Sequence, residues 1–156
     1  REITIRDLLR ASLRMRPDRV IVGEVRGAET VDMLQAFCTG HDGSLSTGHG
    51  NSTQDMLYRL ETMVMMGMDI PALAVRRQLA SGIDLMIHLG RLRDKRRVLL
   101  EISEITGCRD GEIAVNPLYK FQETSVEESG KICGDWIQVG ELFNKEKLFR
   151  AGFQDD

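Results

Sequence analysis

The stretch Arg16-Pro17-Asp18-Arg19-Val20-Ile21-Val22-Gly23-Glu24-Val25-Arg26-Gly27 constrains the fold more than any other. Pro17 and Asp18 disfavour helix, and Val20 to Val22 form a short apolar β-branched run. Gly23-Glu24 then places a carboxylate where that run ends. Ligands of open α/β sheets sit at the C-terminal strand edge, because loops leave the strands there and helix N-termini converge on the same crevice. Glu24 is the first functional candidate. The bland alternative is a strand-end acid that faces water.

The flanking pattern fits that reading. Thr4 with Asp7 forms a capping-box pair, and Ile5, Leu8, Leu9 and Leu13 follow at helical spacing through about Met15. After Gly27, with Glu29 as a first-turn acid, Val31, Leu34, Phe37 and Cys38 mark a second helix ending near Gly40. His41-Asp42-Gly43 is turn chemistry, and Ser44 to Thr47 form a second short strand that runs into Gly48-His49-Gly50-Asn51-Ser52. Ser52 with Asp55 opens a third helix closed by Gly67. Asp69 as N-cap, with Pro71 in the first turn, opens a fourth through about Ser81.

From Asp84 the period changes. Leu85, Ile87 and Leu89 alternate with Met86 and His88, Arg93 to Arg96 turn the chain, and Val98, Leu100 and Ile102 alternate with Glu101 and Ser103, which predicts an antiparallel hairpin. Glu112 to Val115 read as a further strand stopped by Asn116-Pro117. Residues 123–131 are acidic and aperiodic, as a flexible loop would be, and Leu142 to Phe149 allow one short amphipathic helix. The expected organisation is an α/β unit over 1–121 with a loosely attached tail over 122–156.

Composition bounds the function. Twenty-one Lys and Arg against 24 Asp and Glu give a charge of -3, so no general basic excess points to nucleic acid. Cys38, Cys108 and Cys133 are odd in number, widely spaced and without C-x-x-C, which argues against a disulfide framework or zinc ribbon and fits the cytoplasm. No apolar run reaches the ~18 residues of a membrane span. The first residue is Arg1 and a helix start follows at once, so the N-terminus reads as a cut within a longer protein.

Two strand ends therefore face one crevice, one carrying Glu24 and Arg26, the other Thr47 and His49. An acid to orient water or a metal, a hydroxyl and an imidazole to sense an oxygen, and an arginine to neutralise charge are parts of phosphoryl transfer. Its phosphate loop is missing. The only Gly-Lys pair, Gly130-Lys131, has Ser125 in place of the leading glycine and Ile132 in place of the hydroxyl residue. Gly48-His49-Gly50 fails as a dinucleotide fingerprint because Thr53 stands at the third small position. His41 and His49, eight apart, match no common zinc spacing, and His88 alternates within a strand as a packed neighbour does.

The runs RPDRVIVGEVRGAET, TGHDGSLSTGHGNS and RLETMV, extended by RQLASGIDLMIHLGRLRDKRRV and ISEIT, resemble the secretion and pilus-assembly ATPases of the type II/IV secretion superfamily, closest to the tight-adherence (Tad/Flp) pilus branch. The resemblance runs from Glu2 to about Phe121. It implies a partial RecA-like P-loop NTPase core, lacking its Walker A half and carrying an antiparallel β-hairpin extension. It also implies ATP and Mg²⁺ as cofactors, and a homo-oligomer, a hexamer in this family, working beside inner-membrane pilus or secretion platform proteins. Val20 to Glu24 would be the Walker B strand, with Glu24 orienting the attacking water and acting on Mg²⁺ indirectly, through water. His41 to His49 would be the family's His box, with His49 contacting the γ-phosphate. Arg26, Thr47 and His41 would sense that phosphate or stabilise charge. The Walker A loop, the Asp box and the N-terminal domain of the family are absent from these residues, so the chain alone is expected to be inactive.

Two rivals remain at this stage. A RecA-like nucleic-acid motor shares the strand-end acid but needs a basic track, and Arg91 to Arg97 is the one strong basic cluster, which as a solvated hairpin turn needs no nucleic acid. A non-catalytic oligomerisation module would form rings without nucleotide.

Overall fold

A computed structural model describes residues 2–154. The chain divides into two compact units, the first running to Ile83 and including Gly107–Ile113, the second comprising Asp84–Thr106 and the residues from Ala114 onward.

In the first unit the order is α1 (Ile5–Leu13), β1 (Ile21–Val22), α2 (Thr30–Cys38), β2 (Leu45–Ser46), α3 (Thr53–Gly67) and α4 (Ala72–Gly82). The capping box at the start of α1 is complete: Asp7 N–H donates to Thr4 Oγ1 at 3.2 Å, and Thr4 N–H donates to the Asp7 carboxylate at 3.1 Å. The two strands are shorter than the apolar runs suggest. They pair in parallel with Ile21 opposite Leu45 and Val22 opposite Ser46. Asp69 does not cap α4; Pro71 holds that position and offers no side-chain cap. Its fixed φ suits the entry to a helix, which leaves Asp69 outside.

Helices α2, α3 and α4 enclose the core of this unit, with Met33, Leu34, Leu57, Val64, Val75 and Leu79 almost fully buried. Two glycines permit the approach. A Cβ on Gly67 would meet the Ala28 carbonyl at 2.7 Å, and one on Gly82 would meet Leu34 and Cys38 at 2.9 Å. Asp32 is buried at the start of α2 and is held by Arg6 at 2.5 Å and Arg10 at 3.0 Å, one turn apart on α1. Each arginine keeps a partly exposed side chain, so this buried carboxylate is paired without burying both cations.

The second unit is built on a four-stranded antiparallel sheet, β3 (Leu85–Arg91), β4 (Arg97–Arg109), β5 (Glu112–Val126) and β6 (Ile132–Gln138), in that spatial order, followed by α5 (Glu146–Arg150); the tip of the β4–β5 hairpin, Gly107–Ile113, counts with the first unit. The predicted hairpin is β3–β4, with Ile87 opposite Ile102. Asp110 and Gly111 join β4 to β5 in a two-residue turn, both with positive φ as a type I′ turn requires.

Three expectations change here. Asn116-Pro117 do not stop β5, because its pairing with β6 begins only at Tyr119 opposite Gln138, leaving the proline's missing N–H outside that ladder. Residues 123–131 are not a flexible loop: β5 continues to Val126, and a turn closed by Glu127 N–H on the Lys131 carbonyl leads into β6. The boundary expected at 121/122 thus falls inside β5, and residues 122–156 contain a paired strand. The segment beyond β6 is tied by buried Glu104, whose carboxylate accepts the Phe143 N–H at 2.8 Å and the Asn144 N–H at 2.7 Å.

Candidate functional site

The site stands where β1 and β2 end. Pairing continues past the strands: Val25 N–H donates to the Thr47 carbonyl at 3.1 Å, and Thr47 Oγ1 donates to the Gly23 carbonyl at 2.5 Å. The two loops are stitched together on either side of Glu24. Sequence pattern puts them side by side for a simple reason, since two parallel strands that end together must release their loops at the same edge.

Glu24 occupies the centre, with a mostly covered side chain. Arg26 clasps its Oε2 with two nitrogens, Nε at 2.7 Å and Nη2 at 2.5 Å. His49 Nε2 approaches Oε1 to 2.7 Å. That approach is close but not aligned as a hydrogen bond, and Oε1, itself buried, receives no hydrogen bond among the described residues. The Arg26 hydrogen bond is the main reason the Glu24 carboxyl lies below its ordinary range; partial burial opposes it, and the charges of Arg26 and His49 assist. Glu24 is therefore ionised at neutral pH, with one oxygen engaged and the other lacking a donor.

Arg26 and His49 present mostly exposed side chains, 77% and 81%, so both can reach a ligand standing in front of Glu24. Glu29, expected only as a first-turn acid, has a further role: its Oε1 accepts the N–H groups of Arg26 at 2.6 Å and Gly27 at 3.0 Å. It fixes the backbone that carries Arg26. The signal in the sequence was the acid placed just after Gly27 at a helix entry.

His41 is placed differently. Its Nδ1 lies 3.0 Å from the Ala36 carbonyl and 3.4 Å from Thr39 Oγ1, at the C-terminal end of α2, where unpaired carbonyls need a partner. The basic cluster in the second unit is partly neutralised, Arg93 by Glu123 and Arg96 by Asp94.

A hydrated magnesium ion fits the carboxylate. Its Oε1 lacks a donor and would accept a metal-bound water once the exposed His49 ring swings off it, and one acid suits contact through water rather than direct ligation. Among the described residues, no group of three or more His, Cys, Asp or Glu side chains is arranged to hold a metal ion.

The sequence model of the type II/IV secretion system proteins matches residues 1–129. The chain belongs to this family. A candidate conjugal transfer protein of Mycobacterium tuberculosis is 45% identical over 102 residues, covering 65% of this chain and 29% of that protein. The type IV secretion system protein VirB11 of Brucella abortus is 36% identical over 90 residues, 56% of this chain and 25% of that one. Among solved structures, the VirB11 ATPase of Brucella suis, crystallised with sulphate, superposes with a TM-score of 0.62 at 32% identity, covering 65% of this chain and 32% of that chain. This secretion-family chain thus spans about a quarter to a third of the length of these relatives. The fold neighbours are secretion ATPases, in keeping with an α/β chain that carries an antiparallel sheet. Among the described residues no helix is long and apolar enough to cross a membrane.

Proposed function

We propose that this chain is the C-terminal part of a RecA-like ATPase domain whose Walker A half lies elsewhere in a longer protein, and that the whole hydrolyses ATP with Mg²⁺. The observation that carries the reading is the ionised Glu24, clasped on Oε2 by Arg26 and lacking a hydrogen-bond donor on Oε1, which the exposed His49 ring covers. Water is a poor nucleophile and phosphoryl transfer spreads negative charge, so an oriented carboxylate and nearby donors each lower the barrier. In this reading Glu24 orients the attacking water and touches Mg²⁺ through water. His49 reports the γ-phosphate, Arg26 stabilises charge, and Thr47 holds the two loops in register. The position of His41 at the end of α2 supports a role in fixing the loop that leads to His49. Family membership supports the activity, and the names of the relatives support secretion as its use.

The wider assignment is a hexamer, cytoplasmic and held at the inner membrane through platform proteins. It powers pilus assembly or protein secretion, closest to the tight-adherence branch, with no nucleic-acid substrate. The test is Mg²⁺-dependent ATP hydrolysis by the longer protein beside the isolated chain. Turnover in the former and none in the latter is expected, because this chain lacks the backbone N–H cradle and lysine that grip the phosphates. Turnover by the isolated chain, or none by the longer protein, contradicts the proposal.

A further inference from the structure

A groove of about 320 Å³ adjoins the site on the first unit, lined by Arg26, Tyr58, Arg59, Thr62 and Met63. Its lining carries two guanidinium groups, a phenol and a hydroxyl, and no carboxylate. The Thr62 hydroxyl donates to the Tyr58 carbonyl one turn back, which leaves its oxygen as an acceptor only. Arg59 is exposed, and no acid pairs with it among the described residues. Arg26 is the link, because the residue that lines this groove is also the one that clasps Glu24.

Two guanidinium groups, Arg59 with no acid paired to it among the described residues and Arg26 engaged through Nε and Nη2 by Glu24, form an oxyanion site, since each offers a planar fork matched to phosphate geometry. We propose that this groove binds inorganic phosphate between Arg59 and Arg26, and that occupancy draws Arg26 away from Glu24. The source of that phosphate rests on the hydrolysis reading above; the site itself rests on the groove. Arg26 is free to swing because its side chain is mostly exposed, whereas Glu24, mostly covered, is left without a donor and takes up a proton more readily once the clasp opens. A phosphate dianion can pair bidentately with the same fork. While the groove is filled, Glu24 has neither oxygen engaged by arginine; when phosphate leaves, the clasp re-forms. The groove is thereby a product site coupled to the state of the carboxylate.

The experiment titrates the full 156-residue chain with inorganic phosphate, ionic strength held constant with chloride, while arginine Nε–H and glutamate carboxyl signals are followed by NMR. Saturable shifts of Arg59 and Arg26 are expected, weakened about tenfold or more in Arg59→Gln and less in Arg59→Lys. Phosphate is also expected to raise the Glu24 titration midpoint, because the carboxylate loses its cation. A response no different from chloride, an affinity unchanged in Arg59→Gln, or an unmoved Glu24 midpoint overturns the proposal. No nucleotide enters this assay, so its failure removes the phosphate site and leaves the hydrolysis reading to be judged by turnover.

Discussion

Glu24 and His49 meet across the ends of two parallel strands, Oε1 to Nε2 at 2.7 Å, although 24 residues of helix, turn and strand separate them in the chain. The approach is close without being a hydrogen bond, which leaves this buried carboxylate oxygen unsatisfied beneath an exposed ring. An imidazole so exposed has few packing contacts to lose. Its replacement therefore tests chemistry rather than folding.

In the longer protein, His49→Ala is expected to lower turnover by about 100-fold while leaving the affinity for ATP nearly unchanged, as removal of one transition-state donor does. Steady-state rates beside equilibrium nucleotide binding check this. A raised Kd with an unchanged rate would make His49 a ground-state contact only.

Acid stability reports the clasp between the β3–β4 turn and β6. The Asp94 carboxyl is held down to about 2, from an ordinary 3.8, chiefly by the Ile132 N–H; burial opposes this and Arg96 assists. The folded value lies below the unfolded one, so the native state binds fewer protons. The stabilisation is complete above about pH 4 and is lost as pH falls toward about 2. Asp94→Asn is expected to flatten the loss of stability across that window in acid unfolding curves. Equal slopes for the two proteins would show that the clasp does not survive in solution.

Glu104 makes the segment after β6 testable. Burial pushes its carboxyl up, but the Phe143 N–H, the Asn116 amide and the Asn144 N–H outweigh that and hold it below its ordinary range. Glu104→Ala is expected to cost about 1–3 kcal/mol, since it leaves donors unpaired, and to speed amide exchange at Phe143 and Asn144 above all. Unchanged exchange at those two amides would mean the tail is loosely attached after all.

Local signals were legible in the sequence where the physics is local. Thr4 with Asp7 and Ser52 with Asp55 act within one helical turn, and both helices start where those pairs place them. The alternation of Leu85, Ile87 and Leu89 likewise gave the hairpin. Glu24, Arg26, Thr47 and His49 were placed together because two strand ends announce a common edge. His41 was grouped with them through the resemblance of the stretch His41 to His49 to the family's His box; its ring lies against the Ala36 carbonyl at the end of α2. The end of β5 was hidden because residues 122–126 are all exposed, so no face is apolar and no period shows. Asp94, Glu104 and the Arg26–Arg59 groove depend on contacts 30 or more residues apart, which no local pattern encodes.

The central claim is that Glu24 orients the attacking water, and Glu24→Gln in the longer protein tests it most directly. The variant keeps shape and hydrogen-bonding capacity but removes the charge. Steady-state ATP turnover is expected to fall at least ~100-fold while Mg²⁺-ATP still binds with near wild-type affinity. A wild-type rate in that variant would contradict the account and leave Glu24 a structural partner of Arg26.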